Sequence, residues 1–202
     1  MERYLSSVVC CQNAVMTEDH EHIRSRSPAW KVVGGLLLAG SDGLPHIDGP
    51  VRILLVANRR RNGTVEWTPP GGVVDPGEAL IDALTREVIE ETGYQVDRWT
   101  GPCYRVGVDF PDREMTLEVE VYRAIEWAGT LVLNDPDRIV EDARFVDSEE
   151  AKGLTATAPL WVSEPFGMWL ASQDLEEGER RVEDHAFVAL GVHSDELTVE
   201  RA

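Results

Sequence analysis

Glu87, Glu90 and Glu91 lie at i, i+3 and i+4 within a stretch whose apolar residues also recur at helical spacing. Leu80, Leu84 and Val88 form one stripe, with Ala83 beside them, and the pattern predicts a helix over Ala79–Thr92. Gly93 stands where a left-handed C-terminal cap belongs. On such a helix the three carboxylates fall within about 5–6 Å of one another at Cβ, rotated away from the apolar stripe. Like charges so placed cost an isolated helix a few tenths of a kcal/mol per pair. The last turn is also the negative end of the helix dipole. A solvated acidic face is the plain alternative. A hard divalent cation among the carboxylates would offset both penalties, because Mg2+ takes carboxylate oxygens, keeps waters and fills its remaining positions with phosphates.

The surrounding residues favour the cation. Pro69-Pro70-Gly71-Gly72 is expected to break regular structure, and Gly71-Gly72 allows backbone to approach a metal or phosphate closely. Pro76-Gly77 shapes the loop before the helix. Glu78 is placed to cap the helix N-terminus and to reach the site from below. Arg86, four residues before Glu90, is placed to hold the carboxylates.

Strands are expected at Trp30–Ala39, Val51–Ala57, Trp99–Val108, Met115–Ile125 and Ala143–Val146. Loops are expected at Ser41–Gly49 and Asn134–Arg138, with a turn at Pro111-Asp112-Arg113. Asn62-Gly63 reads as a hairpin turn returning the chain through Thr64–Trp67. A helix is expected around Ser163–Ala171, and His185–Val192 reads as one more strand or an ordered tail. Strands, one long helix, more strands and a further helix give an α/β fold, a mixed sheet with helices on its faces. The expected organisation is an N-terminal tail or extension over 1–28, a domain over 29–172 and an acidic C-terminal extension over 173–202.

The net charge of -18 opposes binding to nucleic acid polymers, which requires a basic surface. It also repels small phosphates at long range, so a phosphate site here needs local cations, whether metal ions or arginines. Arg59, Arg60 and Arg61 offer one such source. No run approaches the roughly 20 apolar residues that span a bilayer, so no membrane partner is expected. The N-terminus lacks the pattern of a signal peptide. Cys10, Cys11 and Cys103 show neither disulfide nor zinc spacing and read as reduced thiols of a cytoplasmic protein. His20 and His22 read as parts of a solvated tail.

The segment Gly72–Tyr94 resembles the Nudix box, G-x5-E-x7-R-E-U-x-E-E-x-G-U with U apolar. Gly72, Glu78, Arg86, Glu87, Val88, Glu90, Glu91 and Gly93 match it, and Tyr94 replaces the final apolar residue. The resemblance implies a Nudix α/β/α sandwich with a mixed β-sheet, over roughly 30–155. It implies hydrolysis of a nucleoside diphosphate linked to a further moiety. Glu87, Glu90 and Glu91 would bind Mg2+ or Mn2+, with the Gly71 carbonyl as a further ligand. Arg86 would orient Glu87. Glu78 completes the implied catalytic set, and a box glutamate or a loop acid would deprotonate water. Asp135, Asp137, Glu141 and Asp142 are the loop candidates.

Asp109–Arg113 is similar to the stretch beside the base in MutT-type nucleoside triphosphate pyrophosphohydrolases, which implies Phe110 and Arg113 as substrate contacts. Arg59 is the expected phosphate contact. Trp30, Trp67 and Trp161 are either base-stacking or core residues. Pro111 stands one place beyond the proline that marks ADP-ribose pyrophosphatases, and the asparagine that MutT-like enzymes use against an oxidised guanine is not evident near Thr155–Leu160. The resemblance therefore implies a MutT-like pyrophosphohydrolase acting on a small nucleotide. An ADP-ribose or nucleotide-sugar pyrophosphatase and an inactive nucleotide-binding regulator are the alternatives. Many relatives dimerise, so a homodimer belongs to the same expectation.

Overall fold

A computed structural model describes residues 29–40, 52–136, 138–174, 181–193 and 196–202. The expectations for 1–28, including Cys10, Cys11, His20 and His22, for the 41–49 loop and for Asp137 fall outside these residues. In chain order the elements are β1 (Ala29–Leu36), β2 (Leu38–Ala39), β3 (Arg52–Arg59), β4 (Val65–Thr68) and β5 (Gly71–Val73). There follow α1 (Leu80–Thr92), β6 (Gln95–Phe110), β7 (Met115–Ala128), β8 (Val140–Val146), α2 (Ser148–Thr155), α3 (Leu160–Ala171), β9 (Glu183–Leu190) and β10 (Thr198–Arg201).

Two sheets share these strands. The larger is mixed, in the order β10-β9-β6-β7-β1-β5. In the smaller sheet β3 pairs antiparallel with β8, and with β2 and β4 at successive portions of its length. The single strand expected from Trp30 to Ala39 is interrupted at Leu37, because its two parts serve different sheets. β3 is buried from Ile53 through Asn58, as an almost unbroken apolar strand requires.

Side-chain alternation divides the interior into two cores. Leu54 and Val56 join Val33, Leu37, Ala83, Leu84 and Val88 beneath α1. Ile53 and Leu55 face the other way and join Leu36, Phe166, Trp169 and Leu170 beneath α3. The result is the α/β/α arrangement. α1 ends at Gly93, whose φ of 74° fits the left-handed cap and whose amide donates to Ile89 O.

Three elements correct or add to the expectations. Gly71–Val73 is not a break but the edge strand β5, antiparallel to β1 with Val33 opposite Gly72. The strand alternative for His185–Val192 holds as β9, and β10 joins it in the large sheet. β9 runs parallel to β6, and Phe187 and Ala189 enter the core. α2 was not expected; Asp147 caps it by accepting the Glu150 amide at 2.9 Å. Among the described residues no helix is long and apolar enough to cross a membrane.

Leu84 is fully buried between α1 and the sheet, whereas Ile81 lies 37% exposed on the outer face of the same helix. Leu84→Ala should lower the unfolding free energy by about 3 kcal/mol. Ile81→Ala should change it by less than about 1 kcal/mol. Urea denaturation of both variants checks the assignment of the packed face.

Candidate active site

Two glycines set the wall of the site. Gly71 has φ of 149°, and a Cβ there would strike the Val33 carbonyl and lie 2.8 Å from Gly34 Cα. A Cβ on Gly72 would lie 2.5 Å from Glu87 Oε2. Without side chains, β5 lies flat on β1 and the Glu87 carboxylate rests against β5 backbone. The Gly71 amide donates to Glu91 Oε2 at 2.9 Å.

Arg86 is the cationic hub. Its Nε and Nη2 donate to the two Glu78 oxygens at 3.0 and 2.9 Å, a paired geometry that carboxylate and guanidinium match well. Nη1 donates to Glu87 Oε1 at 2.7 Å and, more weakly, to Glu90 Oε2 at 3.4 Å. Nη2 also reaches Val73 O at 3.3 Å. One guanidinium thus stands among three carboxylates and relieves part of their repulsion. The Arg86 bond holds the Glu78 carboxyl below its ordinary pKa. Glu78 and Glu87 raise the pKa of Arg86, so the guanidinium stays charged. Glu78 does not cap α1 as expected. Ala79 occupies the N-cap position without a side-chain bond, and Glu78 turns instead to Arg86 and the Asp75 amide.

Glu91 is 8% exposed. Burial pushes its carboxyl up to about 8; the charges of Glu87 and Asp135 add to the shift, while the Gly71 amide and Arg60 oppose it. Among the described loop acids, Asp135 is the one whose charge acts on Glu91. Its Oδ2 accepts the Ile139 and Val140 amides at 2.6 and 2.9 Å, which fixes the side chain. Glu141 is turned away, paired with Arg59.

Arg59 is half exposed, donates to Glu141 Oε2 at 2.7 Å and to Gly63 O at 3.0 Å, and clamps the hairpin. Arg60 pairs with Glu66 at 2.6 Å and is the arginine whose charge Glu91 feels. Arg61 is exposed.

Phe110 is 1% exposed and is a core residue, not an open platform for a base. Trp161 meets it edge-on at 5.6 Å, and the Arg113 guanidinium lies 5.5 Å from its ring centre. Arg113 Nε donates to Gly191 O at 3.2 Å, while Nη1 and Nη2 are buried without a hydrogen-bond partner. Trp67 is covered by the Arg144 guanidinium at 4.8 Å, and Trp30 packs against the core.

The donors fit a hard divalent cation. They are all oxygens: Glu87 and Glu91 one helical turn apart, Glu90 beside them, and Asp135 close to Glu91. A buried carboxylate disfavoured by neighbouring negative charge is the setting that a dication stabilises. Among the described residues, no three acids, histidines or cysteines converge into a ready cage. Mg2+ does not require one, since it binds through one or two carboxylates and completes its octahedron with water and phosphate.

The NUDIX domain model matches residues 41–166, more than half of the chain, and the protein belongs to the NUDIX family. A human relative, 8-oxo-dGDP phosphatase NUDT18, is 33% identical over 88 residues, covering 44% of this chain and 24% of the relative. The oxidized purine nucleoside triphosphate hydrolase of Danio rerio is 30% identical over 92 residues, 44% of this chain and 56% of the relative. The chain thus spans about a quarter to about half of the length of these curated relatives. The crystal structure of a MutT protein from Methanosarcina mazei Go1 superposes with a TM-score of 0.56 at 21% identity, covering 75% of this chain and 99% of that one. That likeness concerns the fold.

The Glu91 shift has a measurable sign in metal-free protein. The folded chain keeps the Glu91 proton up to about 8, while the unfolded carboxyl loses it near 4.5. Between these values the folded state binds more protons, so this group's contribution to stability falls as pH rises and levels off above the folded value. Glu91→Gln keeps the Gly71 bond and removes the charge. In EDTA the variant should match the parent at about pH 4 and exceed it clearly at about pH 9. Equal urea midpoints at both values would show that Glu91 is not strained.

Proposed function

We propose that this protein is a divalent-metal-dependent pyrophosphohydrolase of MutT-like type, which cleaves the diphosphate of a nucleoside triphosphate or a related nucleoside diphosphate derivative. The observation that carries the reading is the burial of Glu91 beside Glu87 on a glycine wall, with Asp135 close to it. The names of the human and zebrafish relatives support a phosphorylated nucleotide substrate.

Glu87, Glu90 and Glu91 would hold Mg2+ or Mn2+, with the Gly71 carbonyl available as a further ligand. When bound, the metal neutralises the diphosphate and lowers the pKa of a coordinated water. Arg86 orients Glu87 through the 2.7 Å bond and is itself fixed by Glu78. This pairing sets the Glu87 carboxylate before any ligand arrives. Glu91 or Asp135 takes the proton of the attacking water. The Glu91 carboxyl, raised toward neutrality by burial, is suited to that task. Arg60, freed from Glu66, supplies the cation that a phosphate needs on a chain of charge -18.

The test is a product-resolved screen of purified protein with Mg2+ or Mn2+ against nucleoside triphosphates, oxidised purine nucleotides, ADP-ribose and nucleotide sugars. Glu90→Gln and Glu91→Gln should each lower kcat by about 100-fold or more with the fold retained, and EDTA should abolish turnover. Arg60→Ala should raise KM more than it lowers kcat. Unchanged phosphate release in both glutamine variants would remove the catalytic assignment.

A further inference from the structure

Trp99 stands outside the acidic cluster, yet its indole touches both elements that frame it. The ring is partly buried against the core beneath α1. Its benzo edge lies on β1: a Cβ on Gly35 would come within 2.9 Å of Trp99 Cη2 and 3.3 Å of Leu84 Cδ1, so the glycine leaves the room that the indole takes. At its other edge, Trp99 Nε1 donates to Thr85 Oγ1 on α1 at 3.0 Å. Thr85 Oγ1 in turn donates to Ile81 O at 2.9 Å, which fixes the hydroxyl against the helix. The indole thus has a packed end on the sheet and a hydrogen-bonded end on the helix.

Each end leads one residue further into the site. The Gly35 amide donates to Pro70 O at 2.8 Å, and the next residue, Gly71, holds Glu91 Oε2 at 2.9 Å through its own amide. Gly34 stands opposite Gly71 in the β1–β5 ladder. On the helix, Thr85 precedes Arg86, whose guanidinium holds Glu87 at 2.7 Å and is fixed by Glu78. Ala83, Leu84 and Val88 press α1 onto the sheet through apolar contact, which is strong but non-directional. The indole bond adds direction, because a hydrogen bond weakens steeply as its angle departs from linear.

We propose that Trp99 is a positioning residue, a spacer that sets how α1 stands against the Gly71–Gly72 wall and so fixes the spacing of Glu87 and Glu91 before a divalent cation arrives. The proposal rests on the metal-site reading above and adds to it a residue outside the acidic motif. Trp99→Phe removes the N–H and shortens the spacer. Thr85→Val keeps the shape of the other partner and removes only the hydroxyl, so it tests the bond independently of any folding defect in Trp99→Phe. Thr85→Ser keeps the hydroxyl.

The experiment measures Mn2+ affinity by calorimetry on the full chain without substrate, at a temperature where urea curves show each variant folded. Trp99→Phe and Thr85→Val should each weaken Mn2+ binding about ten-fold, and Thr85→Ser should bind as the parent does. The double variant of Trp99→Phe and Thr85→Val should bind no worse than the weaker single, because both remove one bond. A side chain that only fills the core would lower the urea midpoint of Trp99→Phe and leave the Mn2+ affinity of the folded protein unchanged. That result, parental affinity in Thr85→Val, or losses that add in full overturns the role of Trp99 and leaves the metal site standing. A parent that binds no Mn2+ overturns both.

Discussion

The site depends on carboxylates held together against their own repulsion. Glu78, Glu87 and Glu90 share one guanidinium, and Glu91 has a backbone amide instead. The two environments divide the labour. The Arg86 cluster is partly open to solvent, so its ion pairs are screened and serve geometry more than stability. Glu91 is buried, and the charges of Glu87 and Asp135 act on it with less screening. The helix end that looked wrong for anions is thus half neutralised by Arg86 and half left strained. The strained half is where a cation gains most.

The fold exists around that arrangement. β5 can serve as an edge strand only because Gly71 and Gly72 admit the Val33 carbonyl on one side and the Glu87 carboxylate on the other. α1 is pressed onto the same strands by Ala83, Leu84 and Val88, all fully buried. Side-chain packing of this density leaves little freedom for the helix to rotate. The carboxylates therefore project from a rigid element, as a preorganised site requires.

Much of this was legible in the sequence because helical periodicity is strong over thirteen residues and the cap at Gly93 is unambiguous. Where strand side chains lie otherwise than expected, the cause is parity: a strand's faces alternate, and residue type does not say which face is buried. Tyr104, Val106, Val108 and Phe110 are all buried on one face of β6, so Phe110 follows a core parity that the alternation already contained. Along β3, Leu54 and Val56 face α1, and the same parity carried onward reaches Arg60, whose charge acts on Glu91. α2 carries a cap signal in the sequence, Asp147 followed by Glu150. β5 was hidden differently. Pro-Pro-Gly-Gly reads as a break in any one-dimensional view, and only the register with β1 shows why the glycines belong in a strand.

The choice among loop acids shows where one-dimensional reading ends. Asp135, Glu141 and Asp142 lie within eight residues of one another and are chemically alike. Their fates differ through their neighbours: Arg59 takes Glu141, Asp142 sits opposite Ala57 in the β3–β8 ladder, and the charge of Asp135 acts on Glu91. No composition or spacing rule separates them, because each partner comes from a distant part of the chain. The β7–β8 connection is held to the end of α1 by the bond from the Val132 amide to Thr92 O, while Leu131, Val132 and Leu133 stay exposed. A segment fixed that way can bring a carboxylate to a charged site without carrying a hydrophobic anchor into it. The local charge balance of α1 and the path of a distant loop are in this sense one structural problem.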